Sequence, residues 1–262
     1  MLLFDRKAQL ITDSGYIFSS WKGVRFNFTY TTISDTQLPT AEIEILNLDK
    51  DLMNVIKNEH AVFSIGYGDY LGDLITGDIS NIEIEDTIIF DIIGNSEINT
   101  KLYDNWYNKD VRENFIVEDI ARNIGMKIEG ANLLQDYVQP NGYTVKGAGI
   151  KSIQDICSNR GLKVTFRGDL VKIYKKEGEN NGDILLDITS GLTNVTKYQK
   201  YDGQGNQDTT YDYVVHALPI PKIKQGDIIQ VFSDTFTGSC TVVDFEIKGR
   251  RNWKAKYFVK AI

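Results

Sequence analysis

Cysteine and histidine are scarce in this 262-residue chain, which has only Cys157, Cys240, His60 and His216. Two cysteines are too few for a disulfide scaffold or a thiolate metal site, and both fall in apolar periodic segments, where a thiol behaves as a small buried hydrophobe. Neither histidine stands with a Ser or Cys in a recognisable nucleophile motif; His60 lies where a helix meets a strand and His216 within YVVHAL. No apolar run approaches the roughly 18 residues of a membrane span. Asp5, Arg6 and Lys7 come too early for a signal peptide, so folding in a cytoplasm is expected. A basic excess is also missing: 29 Lys and Arg against 36 Asp and Glu give a net charge of −7, which excludes a general polyanion binder. What remains is an ordinary globular composition, 42% hydrophobic and 25% charged, long enough for real cores.

The charge is unevenly spread. Residues 1 to 100 carry 6 basic and 16 acidic side chains, and the rest of the chain 23 and 20. In the acidic part, AEIEIL (Ala41 to Leu46) and NIEIED (Asn81 to Asp86) alternate with period two, which predicts half-buried antiparallel strands. GVRFNFTYTT, HAVFSIGY and TIIFDIIG add β-branched and aromatic runs separated by turn residues. A short helix from Asn47 is expected between strands, with Leu48, Leu52 and Ile56 at helical spacing. Near residue 100 the period changes. VRENFIVEDIARNIGM sets Phe115, Ile116, Ile120 and Ile124 on one helical stripe, and GIKSIQDICSNRG sets Ile150, Ile153 and Ile156-Cys157 on another. GENNGD (Gly178 to Asp183) and DGQGNQD (Asp202 to Asp208) are expected surface loops, and strands return from Tyr211.

One pattern occurs twice. The segments from Ile56 and from Ile223 share an Ile-Lys, a polar turn, an apolar strand, a turn and two further strands. The fold class expected is mainly β (α+β): an N-terminal tube-like antiparallel β-barrel over 1–98, an inserted α+β region over 99–188, and a C-terminal β-barrel module over 189–262.

Catalytic and metal chemistry find little support. Glu42/Glu44 and Glu83/Glu85 lie two apart on one strand face, a solvated stripe rather than the opposed carboxylate pair of a glycosidase. DKDLMNVIKNE lacks the glycine and ligand spacing of a calcium loop, and GYGDYLG (Gly66 to Gly72) reads as a hairpin turn rather than a phosphate loop. No catalytic residue, cofactor or metal is expected.

The order of weak motifs resembles a family. Trp21-Lys22-Gly23, the run TAEIEILNL from Thr40, a short helix, Gly66-Tyr67 and LITGDI from Leu74 look like bacteriophage tail hub proteins. Gly191-Leu192, the Pro219 and Pro221 pair, Gly226-Asp227 and the tail RRNWKAKYFVKAI are similar to the closing barrel of baseplate hub and late control protein D relatives. The resemblance implies a homotrimer whose two barrels per chain make a pseudo-hexameric ring between a six-fold tail tube (or distal tail protein) and a three-fold spike or tail tip. It implies a virion-tail location after assembly in the host cytoplasm, with DNA, and with it a tape-measure protein, in transit. Glu42, Glu44, Glu83 and Glu85 are the candidate channel-lining residues, since carboxylates repel phosphates. Trp21, Tyr67, Tyr70, Arg250, Arg251 and Trp253 are the candidate partner-interface residues. A rival resemblance, to the first half of a LysM cell-wall-binding motif, lies in residues 141–164 and implies instead a peptidoglycan-binding or cell-wall-degrading tail component. There Gly147-Ala148-Gly149 departs from the usual Gly-Asp-Thr turn, and FRGDLVKIYKK replaces the second helix and closing strand.

Overall fold

Alternating side chains set most of the strands. The computed structural model describes residues 5–32, 38–46, 56, 58–84, 87–94, 101–167, 170–175, 179–201 and 207–262. Two compact units emerge, one of Met1–Gly94 with Glu177–Ile262, the other Asn95–Lys176.

The first unit begins with β1 (Arg6–Thr12), β2 (Ile17–Ser19), β3 (Arg25–Thr31), β4 (Thr40–Leu46), β5 (His60–Tyr67), β6 (Tyr70–Ile84) and β7 (Ile88–Gly94). β4 buries Ala41, Ile43 and Ile45, as its alternation requires. The hairpin expected at Gly66 to Gly72 joins β5 to β6 with Tyr67 opposite Tyr70, and Gly68 takes the positive φ of 58° that the tight turn needs. Of the short helix expected from Asn47 only Ile56 is among the described residues, and it is fully buried; the rest lies outside them.

The second unit runs through β8 (Asn105–Tyr107), β9 (Val111–Arg112), α1 (Glu113–Asn123), β10 (Lys127–Glu129), β11 (Val138–Gln139), β12 (Tyr143–Val145), α2 (Gly149–Asn159), β13 (Leu162–Arg167) and β14 (Leu170–Lys175). The helices bury Ile116, Ile120, Ile153 and Ile156 against Leu134, Val171 and Ile173. Phe115 departs from expectation. It sits about 100° round the helix from Ile116, is 52% exposed, and meets Tyr107 edge-on at 6.3 Å. Glu113 is buried and accepts Arg160 Nη2 at 2.6 Å, Arg160 Nε at 3.0 Å and Gln139 Nε2 at 2.6 Å, so the carboxylate enters the core with its lone pairs satisfied. Segment 141–164 forms β12, α2 and the start of β13; β12 pairs with β8, and β13 with β14.

The chain then returns to the first unit as β15 (Glu179–Leu186), β16 (Leu192–Lys197), β17 (Tyr213–Ala217), β18 (Asp227–Phe232), β19 (Thr237–Gly249) and β20 (Trp253–Ala261). GENNGD was expected as a loop, yet Glu179 to Asp183 lie within β15, where Glu179 stands opposite Asp227 of β18 and the register shifts before Ile184 meets Ile229. The two compact units divide at 94/95 and 176/177, where the sequence placed its divisions at 98/99 and 188/189. Among the described residues these thirteen strands form one sheet. The two halves are joined by one ladder: β3 pairs antiparallel with β19, placing Phe28 opposite Gly249 and Thr31 opposite Glu246. Periodicity could not reveal this ladder, since an edge strand's pattern does not name its neighbour.

Both halves repeat one strand order. The N-terminal half runs β3-β4-β7-β6-β5-β1 and the C-terminal half β16-β17-β20-β19-β18-β15. Even the irregularities correspond, with a register shift between Ile79 and Asn81 in β6 against β7, and between Val242 and Asp244 in β19 against β20. The halves differ at the last pair, where β1 is antiparallel to β5 but β15 is parallel to β18.

Candidate functional site

The buried face of the sheet is apolar, and one row across it reads Ala217, Ala255, Ile247, Tyr30, Ala41, Ile92 and Ile79, each opposite the next. The other face is polar. A row of directly opposed residues there reads Lys254, Lys248, Thr29, Glu42, Asp91 and Asn81. The neighbouring row runs Asn194, His216, Lys256, Glu246 and Thr31. One continuous surface therefore changes from lysines on the C-terminal half to carboxylates on the N-terminal half.

In the acidic half Glu42 is exposed and lies directly opposite Asp91, a like-charge pairing that a sheet tolerates at a cost. Glu44 is half-buried and accepts a hydrogen bond from Asn27 Nδ2 at 2.7 Å. Glu83 is exposed near the end of β6, and Glu85 lies outside the described residues. In the basic half Glu246 receives Lys248 Nζ at 2.7 Å and Lys256 Nζ at 3.8 Å. His216 is held below the usual imidazole range, first by burial and then by Lys256 and Lys254.

The expected interface residues separate. Tyr67 and Trp253 are 2% and 7% exposed, and their rings meet edge-on at 5.8 Å, so they anchor the core and present no surface. The alternation in WKAKYFVKA carried that information: Trp253, Ala255, Tyr257 and Val259 point inward and Lys254 and Lys256 outward. Trp21 stays 48% exposed on a 3-10 turn, with Lys7 Nζ 5.9 Å from its ring centroid. Tyr70 is partly covered, with Lys222 Nζ 5.2 Å from its ring. Arg250 and Arg251 are exposed in the β19–β20 turn, where the Arg251 carbonyl accepts Arg6 Nη1 at 2.9 Å. Sequence reasoning missed Asp91, Lys248, Lys254 and Lys256, which share the surface only because the β3–β19 ladder joins the halves. Cys157 and Cys240 are fully buried, and burial pushes both thiols up to about 12.

No family model matches the chain, and no curated protein does. Solved structures do. A 43 kDa tail protein of prophage MuSo2 from Shewanella oneidensis aligns over 98% of this chain and 97% of its own at TM-score 0.67 and 9% identity. The fold is that of phage tail proteins. A tail protein from Neisseria meningitidis aligns over 98% and 97% at TM-score 0.66 and 7% identity. An Escherichia coli component of the type VI secretion system, described as structurally similar to T4 bacteriophage tail proteins gp27 and gp5, aligns over 97% of this chain and 76% of its own at TM-score 0.61 and 9% identity. At such identities the tail-protein fold is held by burial pattern and strand order, not by shared residues.

Proposed function

We propose that the chain is a structural component of a phage or phage-like tail, not an enzyme, and that it acts as a hub. Three copies, each bringing two β-halves of the same strand order, would offer six similar surfaces. That count meets a six-fold tail tube on one side and a three-fold spike or tip on the other. The observation that carries this reading is the repeated strand order within one sheet of tail-protein fold. The partners are then further copies of the chain, the tail tube or distal tail protein, and the spike or tail-tip protein. A tape-measure protein and DNA are transient occupants of the central passage, and the location is the virion tail, reached after assembly in the host cytoplasm.

The polar sheet face is our candidate for the lining of that passage. Glu42, Glu44, Glu83 and Asp91 repel phosphates, and Lys248, Lys254 and Lys256 would form the intervening sectors, so a ring would present alternating signs to passing DNA. Tagging the chain and purifying particles tests the hub. The expected result is a constant three copies per tail at the junction of tube and tip. Particles that lack the chain, or a two-fold or six-fold ring in the assembled tail, overturn the reading.

A further inference from the structure

Besides the free sides of β2 and β15, the sheet has two strand edges that the described residues leave open, and the intrachain seam shows how these two fit. β19 pairs with β18 only along Thr237–Thr241; farther on, its residues Glu246 to Gly249 take β3 as an antiparallel neighbour on that same side. β6, the counterpart of β19, pairs with β5 only along Tyr70 to Asp78 and continues to Ile84. Among the described residues no strand occupies the β5 side of Asn81 to Ile84. β16, the counterpart of β3, has β17 on one side and, among the described residues, no strand on the other. Each half thus holds one half of a seam that is completed once within the chain.

We infer that β16 of one copy adds antiparallel to the end of β6 of a second copy, repeating between chains the β3–β19 ladder found within one. The inference deepens the hub reading and rests on it for the number of copies, but the edges and their register come from the sheet alone. Stepping across the ladders fixes the register. Phe28, Ile43, Phe90 and Ile82 lie opposite one another in series, as do Val195, Val215, Tyr257 and Phe245. Phe28 therefore corresponds to Val195, and Ile82 to Phe245. The intrachain pairs Glu246/Thr31 and Ile247/Tyr30 then translate to Glu83/Tyr198 and Ile84/Lys197 between copies.

Charge agrees with the assignment. The open β6 edge exposes the acidic Glu83, whereas β16 holds no acidic residue and ends in Lys197, which this register sets opposite Ile84 on the other face of the sheet, so the charges act as a net contrast between the two edges and not as an ion pair. Two β6 edges would bring acid to acid and two β16 edges base to base. The favourable pairing is head to tail, which builds rings rather than two-fold dimers.

Cysteine cross-linking of the full chain tests this. Glu83→Cys and Tyr198→Cys are made as separate variants and mixed, because directly opposed antiparallel residues place their Cβ atoms within roughly 4.5–5.5 Å. Mild oxidation is expected to give a covalent heterodimer in the mixture far above the yield from either variant alone. Tyr198 packs on Tyr211, so the unmodified protein supplies an independent readout. Amide exchange at Asn81 to Ile84 and at Thr193 to Lys197 should slow together as concentration rises and copies associate. Association without slowing at both edges overturns the inference, and so does a chain that stays monomeric with unchanged exchange up to its solubility limit. Incorporation into particles without the cross-link would leave the hub standing and remove only this seam; failure to enter particles with the cross-link intact would do the reverse.

Discussion

The two halves of the large sheet share a strand order and a bulge position, yet their exposed faces carry opposite charge. Glu42 and Asp91 stand where the C-terminal half places the uncharged Val214 and Phe258, Ile89 stands where it places Lys256, and Glu83 alone keeps its charge, matched by Glu246. Inward positions are conservative in character, Ile43 and Phe90 matching Val215 and Tyr257. The difference separates what holds the fold from what faces a partner. Burial of an apolar side chain stabilises by roughly 1.5–3 kcal/mol and tolerates exchange among hydrophobes, while the solvated face is free to take either sign.

If the halves are one cooperative unit, damage at their seam must be felt by both. Trp253 lies edge-on to Phe28 at 5.3 Å and to Tyr67 at 5.8 Å, so one ring from the C-terminal half packs on two from the N-terminal half. Trp253→Ala should cost about 3–5 kcal/mol and lower the denaturation midpoint reported by probes in both halves together. A half that keeps its wild-type midpoint would show that the comparison is between two domains rather than within one.

Gly249 offers a smaller disturbance at the same place. It faces Phe28 across the ladder, and an added Cβ would sit inside the Phe28 ring. Gly249→Ala is therefore expected to destabilise by about 1–3 kcal/mol through overpacking. Gly68, with no atom near its would-be Cβ but a positive φ, marks a turn requirement instead. Calorimetry of G249A showing no loss would mean that the seam is loose enough to yield.

Glu42 tests the acidic face itself. Its direct opposition to Asp91 is unfavourable, so Glu42→Gln should raise stability by about 0.2–1 kcal/mol at low salt, and the gain should shrink as salt is added. A loss of stability on removing this carboxylate would mean that the acidic stripe helps to hold the fold.

Much of this was legible in local pattern. AEIEIL and WKAKYFVKA state which side of a strand is buried, and ENFIVEDIARN and GIKSIQDICSN state the helical faces, apart from Phe115, one position off the inner stripe. The repeat from Ile56 and Ile223 was visible because β5–β6 and β18–β19 keep the same turn order. The β3–β19 ladder was not, because pairing between segments more than two hundred residues apart leaves no periodic trace. Without that ladder the lysines of β19 and β20 could not be assigned to the surface that carries Glu42, and the face read as uniformly acidic. Tyr67 and Trp253 were misplaced for a different reason: an aromatic ring serves a core and an interface equally well, and only its neighbours' alternation decides.

The smallest expected effect concerns His216 on the basic half. Burial is the main cause of its lowered proton affinity, with Lys256 directly opposite and Lys254 adding repulsion. Below the ordinary imidazole value of about 6.5 the unfolded chain binds a proton that the folded chain still refuses. Stability therefore falls as pH drops from that value through the lowered one, and above it this contribution is fully present. Lys256→Gln should raise the His216 midpoint only part of the way back, since burial and Lys254 remain, and should make the acid-side loss shallower. Glu246 also contacts Lys256 at 3.8 Å, so some of the lysine's field is already offset and the movement should be modest. Proton NMR titration of His216 reads it directly. A midpoint that does not move on removing Lys256 would mean that the lysines of this sector act singly against solvent rather than as a shared field, and the electrostatic contrast between the two halves would then be one of composition alone.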